Sequence, residues 1–210
     1  MKAHKILADL YMVQNNLQKI QNLFENSIKK NPDSFELQMM LANFHLTQGK
    51  GLDAEKIFLR IIEKYPKKVD PYMFLAKYYN NTNQVVKAEE YLLAALKFDP
   101  ENIGLKTTYA DFYYMNKNFS KADALLDKVL QENPDYRPAN ALQGKICIQR
   151  KEYDKAIEIF STLAEQEPAS LEYNFLMADV LYQNGKIQKA FPYLSKVLQI
   201  NPNHFSARFL

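Results

Sequence analysis

A proline recurs at a constant interval through the whole sequence and constrains the fold more than any other feature. The interval is 34 residues without insertion or deletion, and the prolines are Pro32, Pro66, Pro100, Pro134, Pro168 and Pro202. Because proline cannot continue a helix and turns the preceding residue away from helical angles, each one ends an apolar helical run at the same place. A fixed period of this length is typical of a stacked repeat array. The spacing predicts an all-α protein, an α-solenoid.

The sequence divides into six repeats when each is numbered so that its proline is position 32. The repeats span residues 1–34, 35–68, 69–102, 103–136, 137–170 and 171–204, and residues 205–210 begin a seventh helix pair. Small residues recur at positions 8 and 20, and Phe or Leu recurs at position 24. Offsets of 3, 4 and 7 between apolar sites are typical of helical faces. Each repeat is predicted to hold two antiparallel helices, helix A near positions 2–14 and helix B near positions 18–31, and residues 1–210 to form one domain.

The turn between helices A and B is marked at position 15. Asn15, Gly49, Asn83 and Gly185 stand there, and all tolerate the left-handed angle that ends a helix. Lys117 and Lys151 fill the same position in the other two repeats and are expected to be slightly strained. In the turn from helix B to the next helix A, Asp33 and Ser34 are expected to cap the second repeat's first helix.

The pattern resembles the tetratricopeptide repeat family from end to end. Small residues at positions 8 and 20, an apolar residue at 24 and proline at 32 all match. The sequence departs at position 20 of the first repeat, which is Ile20, and at position 4, where only Tyr72 supplies the family's frequent aromatic residue. The resemblance implies a right-handed superhelix whose A helices line a concave groove. The Asn-Pro-Asn and Asn-Pro-Asp links resemble arrays of bacterial envelope and polysaccharide-export proteins. Because residues 205–210 begin a seventh helix in phase and then stop, we interpret the chain as part of a longer bacterial array.

Composition argues against several classes of function. The 27 basic and 24 acidic residues give a net charge of +3 and form no blocks, which does not favour a nucleic-acid surface. The single cysteine, Cys147, excludes an internal disulfide framework and a multi-cysteine zinc site. The three histidines are far apart, and His45 occupies a core position. We expect no enzyme activity, no cofactor, no metal and no membrane insertion by this segment.

The resemblance implies that positions 2, 5, 9, 12 and 13 of helix A face the groove. Positions 5 and 12 form an unusually apolar stripe, and position 9 carries charged or amide groups between them. Such a surface suits an extended or helical peptide. An alternative is that positions 5 and 12 pack against neighbouring A helices. The candidate binding residues are Met39, Asn43, Met73, Lys77, Asp111, Tyr114, Ile148, Phe175, Asp179 and Tyr182.

The sequence therefore predicts a non-enzymatic scaffold that binds a peptide segment or partner helix in its groove. Two alternatives stay open. The chain could self-associate through its repeat ends, because Phe209 and Leu210 are expected to be exposed at the last repeat. It could also be the substrate-guiding arm of a larger enzyme, for example a glycan-related one, or of an export complex. The cytoplasm and a bacterial envelope compartment both remain open.

Overall fold

The structure is a computed structural model that describes the backbone of residues 2–209 and the side chains of residue 4 and residues 6–208. Within that range the chain forms thirteen α-helices joined by turns, which confirms the all-α prediction. The A helices are α1 (Lys2–Val13), α3 (Phe35–Thr47), α5 (Asp70–Asn81), α7 (Ile103–Met115), α9 (Arg137–Gln149) and α11 (Leu171–Gln183). The B helices are α2 (Leu17–Lys30), α4 (Gly51–Lys64), α6 (Val85–Phe98), α8 (Phe119–Glu132), α10 (Tyr153–Gln166) and α12 (Ile187–Ile200), and α13 (Phe205–Phe209) follows them.

Every B helix ends two residues before its proline, at position 30 of the repeat. The residue before the proline has left the helical region, as Asn133 illustrates with φ −136° and ψ 75°. This is the restriction that proline places on its predecessor. The observed ends of the A and B helices lie within one residue of the predicted positions. Pro192 lies inside α12, and the helix continues through it.

The turn from helix A to helix B contains a left-handed residue in each repeat. The φ angles are +51° at Asn15, +71° at Gly49, +59° at Asn83, +59° at Lys117, +61° at Lys151 and +72° at Gly185. Asparagine and glycine accept this conformation readily, whereas a lysine pays the steric penalty of its Cβ. The prediction from position 15 is confirmed, including the strain expected at Lys117 and Lys151.

Serine side chains cap the first turns of two A helices. Ser34 Oγ accepts a hydrogen bond from the Leu37 backbone N–H at 3.3 Å, which confirms the predicted cap of α3. Ser170 Oγ caps α11 in the same way through the Tyr173 N–H. Pro71 lies in the first turn of α5, where its missing N–H leaves no helical hydrogen bond unmade.

Residues along the chain group into two compact units, one ending at Asn102 and the other beginning at Ile103. In the first unit, Ile20, Phe24 and Phe44 form a buried cluster. In the second, a larger cluster runs from Ala141 to Ala207. The alanines at position 20 from the second to the fifth repeat are fully buried, as is the aromatic ring at position 24 in Phe58 and Phe160. Small residues thus let the helices approach closely, and large residues at position 24 fill the space beside them.

One recurring hydrogen bond was not predicted from the sequence. The side chain at position 4 of helix A donates to the carbonyl of the preceding repeat's proline in four repeats. The four hydrogen bonds run from Gln38 to Pro32 at 2.6 Å, from Tyr72 to Pro66 at 2.9 Å, from Asn140 to Pro134 at 2.7 Å and from Asn174 to Pro168 at 3.0 Å. The side-chain amides therefore make the same hydrogen bond as the Tyr72 hydroxyl, and in these repeats the side chain at position 4 donates a hydrogen bond to a backbone carbonyl in the turn.

Candidate functional site

The ten predicted binding residues lie on A helices, four in the first compact unit and six in the second. Two of them are core residues: Met39 is 8% exposed and Ile148 is 7% exposed. Ile148 belongs to the buried cluster of the second unit. These two side chains offer little surface to a partner, and their burial follows the alternative in which positions 5 and 12 pack inward.

The remaining residues of the first unit form a mixed surface. Asn43 and Met73 are half-buried, and Lys77 is exposed. Met73 occupies position 5 as Met39 does, so the same residue type at the same register differs in exposure. In this unit the polar groups of position 9, together with Met73, are available to a partner.

The second unit presents two tyrosines and a phenylalanine at positions 12 and 5. Tyr182 is 42% exposed, whereas Tyr114 is half-buried with its ring 5.9 Å from that of Phe119. Phe175 is half-buried, and its ring lies 4.9 Å from the imidazole of His204. Tyr182 is thus the most open aromatic side chain among the predicted residues.

A cavity of about 270 Å³ lies between the A helices α7, α9 and α11. Asp111 is its one member among the ten candidate binding residues, although further lining residues stand at the groove positions 2, 5 and 9. The lining is Thr107, Thr108, Asp111, Pro138, Ala141, Leu142, Lys145, Glu172 and Tyr173. Lys145 Nζ donates to Glu172 Oε1 at 3.0 Å, joining position 9 of one A helix to position 2 of the next. Lys145 and Glu172 are the one oppositely charged pair in the sequence that joins position 9 of a repeat to position 2 of the next, so no recurring pattern indicates it.

The hydrogen bonds around the cavity fix which groups can still act as donors or acceptors. Thr107 Oγ1 donates to the Ile103 carbonyl at 2.7 Å, and Thr108 Oγ1 donates to the Gly104 carbonyl at 2.8 Å. Both hydroxyl hydrogens are therefore used within α7. Desolvation raises the pKa of the Asp111 carboxyl above its ordinary value, and the positive charge of Lys145 opposes that rise. Asp111 is nonetheless exposed, so its carboxyl lies at the open side of the cavity.

A second cavity of about 440 Å³ lies beside α8, α9 and α10, where Gln143 and Cys147 replace the larger residues of other repeats. Arg150 pairs there with Asp123 at 2.6 Å, and Lys155 with Glu152 at 2.7 Å. Cys147 is buried, and burial raises the pKa of its thiol. A protonated thiol is a poor nucleophile, so Cys147 is a core residue here.

Among the described residues, no group of three or more histidine, cysteine, aspartate or glutamate side chains is placed to hold a metal ion. None of the described helices combines the length and the apolar character that crossing a bilayer requires.

Comparison with known proteins identifies relatives of the fold. The sequence profile described as tetratricopeptide repeat matches residues 11–78 and 81–146. The profile described as subunit 3 of the anaphase-promoting complex, or cyclosome, matches residues 149–210. No curated protein matches the sequence significantly.

Three solved structures illustrate the similarity. A tetratricopeptide repeat protein from Parabacteroides merdae superposes with a TM-score of 0.71 at 19% identity, over 94% of this chain and 78% of that one. TTC0263, a thermophilic protein of Thermus thermophilus, gives a TM-score of 0.68 at 20% identity, over 86% and 98%. YrrB, described as having an unusual peptide-binding site, gives 0.55 at 18% identity, over 89% and 96%. At these identities the likeness concerns the fold.

Proposed function

Because the chain belongs to the tetratricopeptide repeat family, we propose that it binds an extended peptide segment or a partner helix on its A-helix surface. Members of this family are generally non-catalytic scaffolds for protein interactions. The observation that carries the proposal is the cavity between α7, α9 and α11, which opens on helix A residues and not on helix B. The peptide-binding site in the description of YrrB supports the same reading.

The chemistry of the second compact unit suits a peptide. Tyr182 and the partly open ring of Tyr114 supply large, rigid contact area, which gives most of the affinity in protein interfaces. Asp111 and Asp179 supply polar groups that fix the orientation of a bound segment. Ile148 contributes through the buried cluster of the same unit.

A random-peptide library displayed on phage and selected against the full chain tests the proposal. We expect the replacement of Tyr114 and Tyr182 by alanine to abolish enrichment or weaken the selected peptides by about tenfold or more, as loss of interface aromatics does. Phe191→Ala is the matched control, because Phe191 is an aromatic residue 59% exposed on helix B. Far-UV circular dichroism establishes that all variants stay helical.

Two results would contradict the proposal. Peptides that bind the double variant as well as the original chain would place recognition away from the A helices. Equal losses in the Phe191→Ala control would mean that capture depends on any exposed aromatic residue.

Self-association is a second candidate, favoured by an apolar stripe on α1. Ile6, Leu10 and Val13 are 68%, 50% and 87% exposed. In the next repeats the same register packs against the preceding helix B, as the Phe24 and Phe44 rings do at 6.1 Å. A helix B from a second copy would cover the stripe in the same way. The earlier expectation for Phe209 and Leu210 lies outside the described side chains.

Light scattering across a concentration series distinguishes this candidate. Association that Leu10→Glu abolishes would support it. A chain that remains monomeric at high concentration would exclude it.

A further inference from the structure

We infer that the cavity between α7, α9 and α11 binds a basic side chain, arginine or lysine, of the partner segment. The inference rests on the proposed function and specifies the partner that the second compact unit selects. It concerns Asp111, Thr107, Thr108, Lys145 and Glu172, which all line the cavity.

The cavity offers hydrogen-bond acceptors. A threonine hydroxyl has one hydrogen and two lone pairs. The hydroxyl hydrogens of Thr107 and Thr108 each bond to a backbone carbonyl of α7. The Thr107 and Thr108 oxygens can therefore only accept a further hydrogen bond. An ionised carboxylate is also an acceptor, so Asp111 adds to the same set. A ligand that bonds to these three groups must bring donors.

The only cationic side chain in the lining is Lys145, and Glu172 holds its ammonium at 3.0 Å. This pair is neutral as a whole. The lining holds two acidic side chains and one basic one, which leaves one negative charge on Asp111. An anionic ligand would face that charge with the lysine already engaged, so the balance favours a cation.

The walls suit the stem of a long basic side chain. Pro138, Ala141 and Leu142 contribute apolar surface, and Tyr173 contributes an aromatic ring. Lysine and arginine pack their aliphatic stems on such surface while the charged head reaches polar groups.

Small capped amino acids test the inference directly on the full chain labelled with nitrogen-15. The probes are the N-acetyl amides of arginine, lysine and citrulline; citrulline has the shape of arginine without its charge. We expect arginine or lysine to shift the amide signals of Thr107, Thr108 and Asp111, and citrulline at equal concentration to leave them unchanged. The stronger of the two cationic probes identifies whether the site prefers a guanidinium or an ammonium group.

Asp111→Asn is the decisive variant, and Asp127→Asn on α8 is its control because it removes a carboxylate from a helix B. Asp111→Asn removes the one uncompensated negative charge of the lining, and because Asp111 is exposed, it should weaken the cationic probe by about fivefold. Asp127→Asn should leave its affinity unchanged. Citrulline that binds as well as arginine, or a probe indifferent to Asp111→Asn, would overturn the inference.

The two proposals fail in different ways. If the peptide library depends on Tyr114 and Tyr182 but the selected peptides bind equally after Asp111→Asn, peptide binding stands and the basic-residue inference is wrong. If the cationic probes bind at Asp111 while no displayed peptide depends on the tyrosines, the cation site stands and the proposed peptide surface is wrong.

Discussion

Gly144 offers the sharpest test of how these helices pack. It lies in α9 at position 8, where four other repeats carry a buried alanine. A methyl group added at Gly144 would lie 2.6 Å from Cζ, 2.7 Å from Cε1 and 3.2 Å from Cε2 of the Phe160 ring. Phe160 is fully buried, so its ring has no solvent-filled space into which it can move. We predict that Gly144→Ala destabilises the protein although alanine is the better helix former.

The magnitude follows from two opposing effects. Overpacking a core typically lowers stability by about 1–3 kcal/mol. Alanine in place of glycine within a helix returns about 1 kcal/mol. The net change in the free energy of unfolding is therefore a loss of up to about 2 kcal/mol.

Phe160→Leu reverses the sign of the effect. Leucine stands at the same position in Leu92, Leu126 and Leu194, in repeats that carry alanine at position 8. With the ring removed, Gly144→Ala should raise the free energy of unfolding by up to about 1 kcal/mol. The double-mutant cycle should thus give a coupling energy of about 1–3 kcal/mol between the two residues.

Urea denaturation followed by circular dichroism measures the four species of the cycle, and equal slopes establish that the changes in midpoint report stability. Phe58→Leu is the matched control, because Phe58 is a fully buried ring at the same position in the other compact unit. Its combination with Gly144→Ala should be additive to within about 0.5 kcal/mol. If Gly144→Ala stabilises the protein that retains Phe160, or if the cycle shows no coupling, the close approach of α9 and α10 is not as described.

Three further predictions concern local features. Lys117→Gly and Lys151→Gly should each raise the free energy of unfolding by about 0.5–1 kcal/mol in urea denaturation, because glycine removes the left-handed strain at φ +59° and +61°; no gain would mean that the lysines are unstrained. Asn174→Ala should lower the free energy of unfolding by about 1–3 kcal/mol, because the side chain is fully buried and its amide donates a hydrogen bond to the Pro168 carbonyl. Gln38→Ala should lower it by less than about 1 kcal/mol. Equal effects of the two variants would contradict this ranking. The Asp111 carboxyl should make the free energy of unfolding fall as the pH rises through its pKa, because the folded state binds that proton more tightly than the unfolded state. The urea midpoints of Asp111→Asn, measured across the acidic range, should lack this fall.

The sequence predicts the helices well because their signals are local. Proline at position 32 ends helix B through its effect on one neighbouring residue, and the residue at position 15 ends helix A through its own φ angle. Even the strained lysines follow from register, since Lys117 occupies the place of Gly49 and meets the same left-handed requirement. These constraints act within a few residues and can be read without knowing the packing.

Exposure on the A helices could not be predicted in the same way. Met39 and Met73 have the same side chain at position 5, yet Met39 is buried and Met73 is half-buried. The difference depends on side chains from adjacent helices, which vary between repeats while the register does not. The hydrogen bonds at position 4 escaped prediction for a related reason. Asn174 departs from the aromatic residue common at that position, and only the structure places its amide beside the Pro168 carbonyl.

The cavity of the second compact unit arises where the repeats differ from one another. Position 5 is threonine in α7 and alanine in α9, both of which line the cavity, while the larger residues Lys5, Met39, Met73 and Phe175 occupy that position elsewhere. Small side chains in two successive A helices leave space, and the charges of Asp111, Lys145 and Glu172 border it. A shared pattern determines how repeats stack, because stacking needs the same contacts at every step. Recognition of one partner needs a place unlike its neighbours, so departures from the pattern are where a binding site in such a chain should be sought.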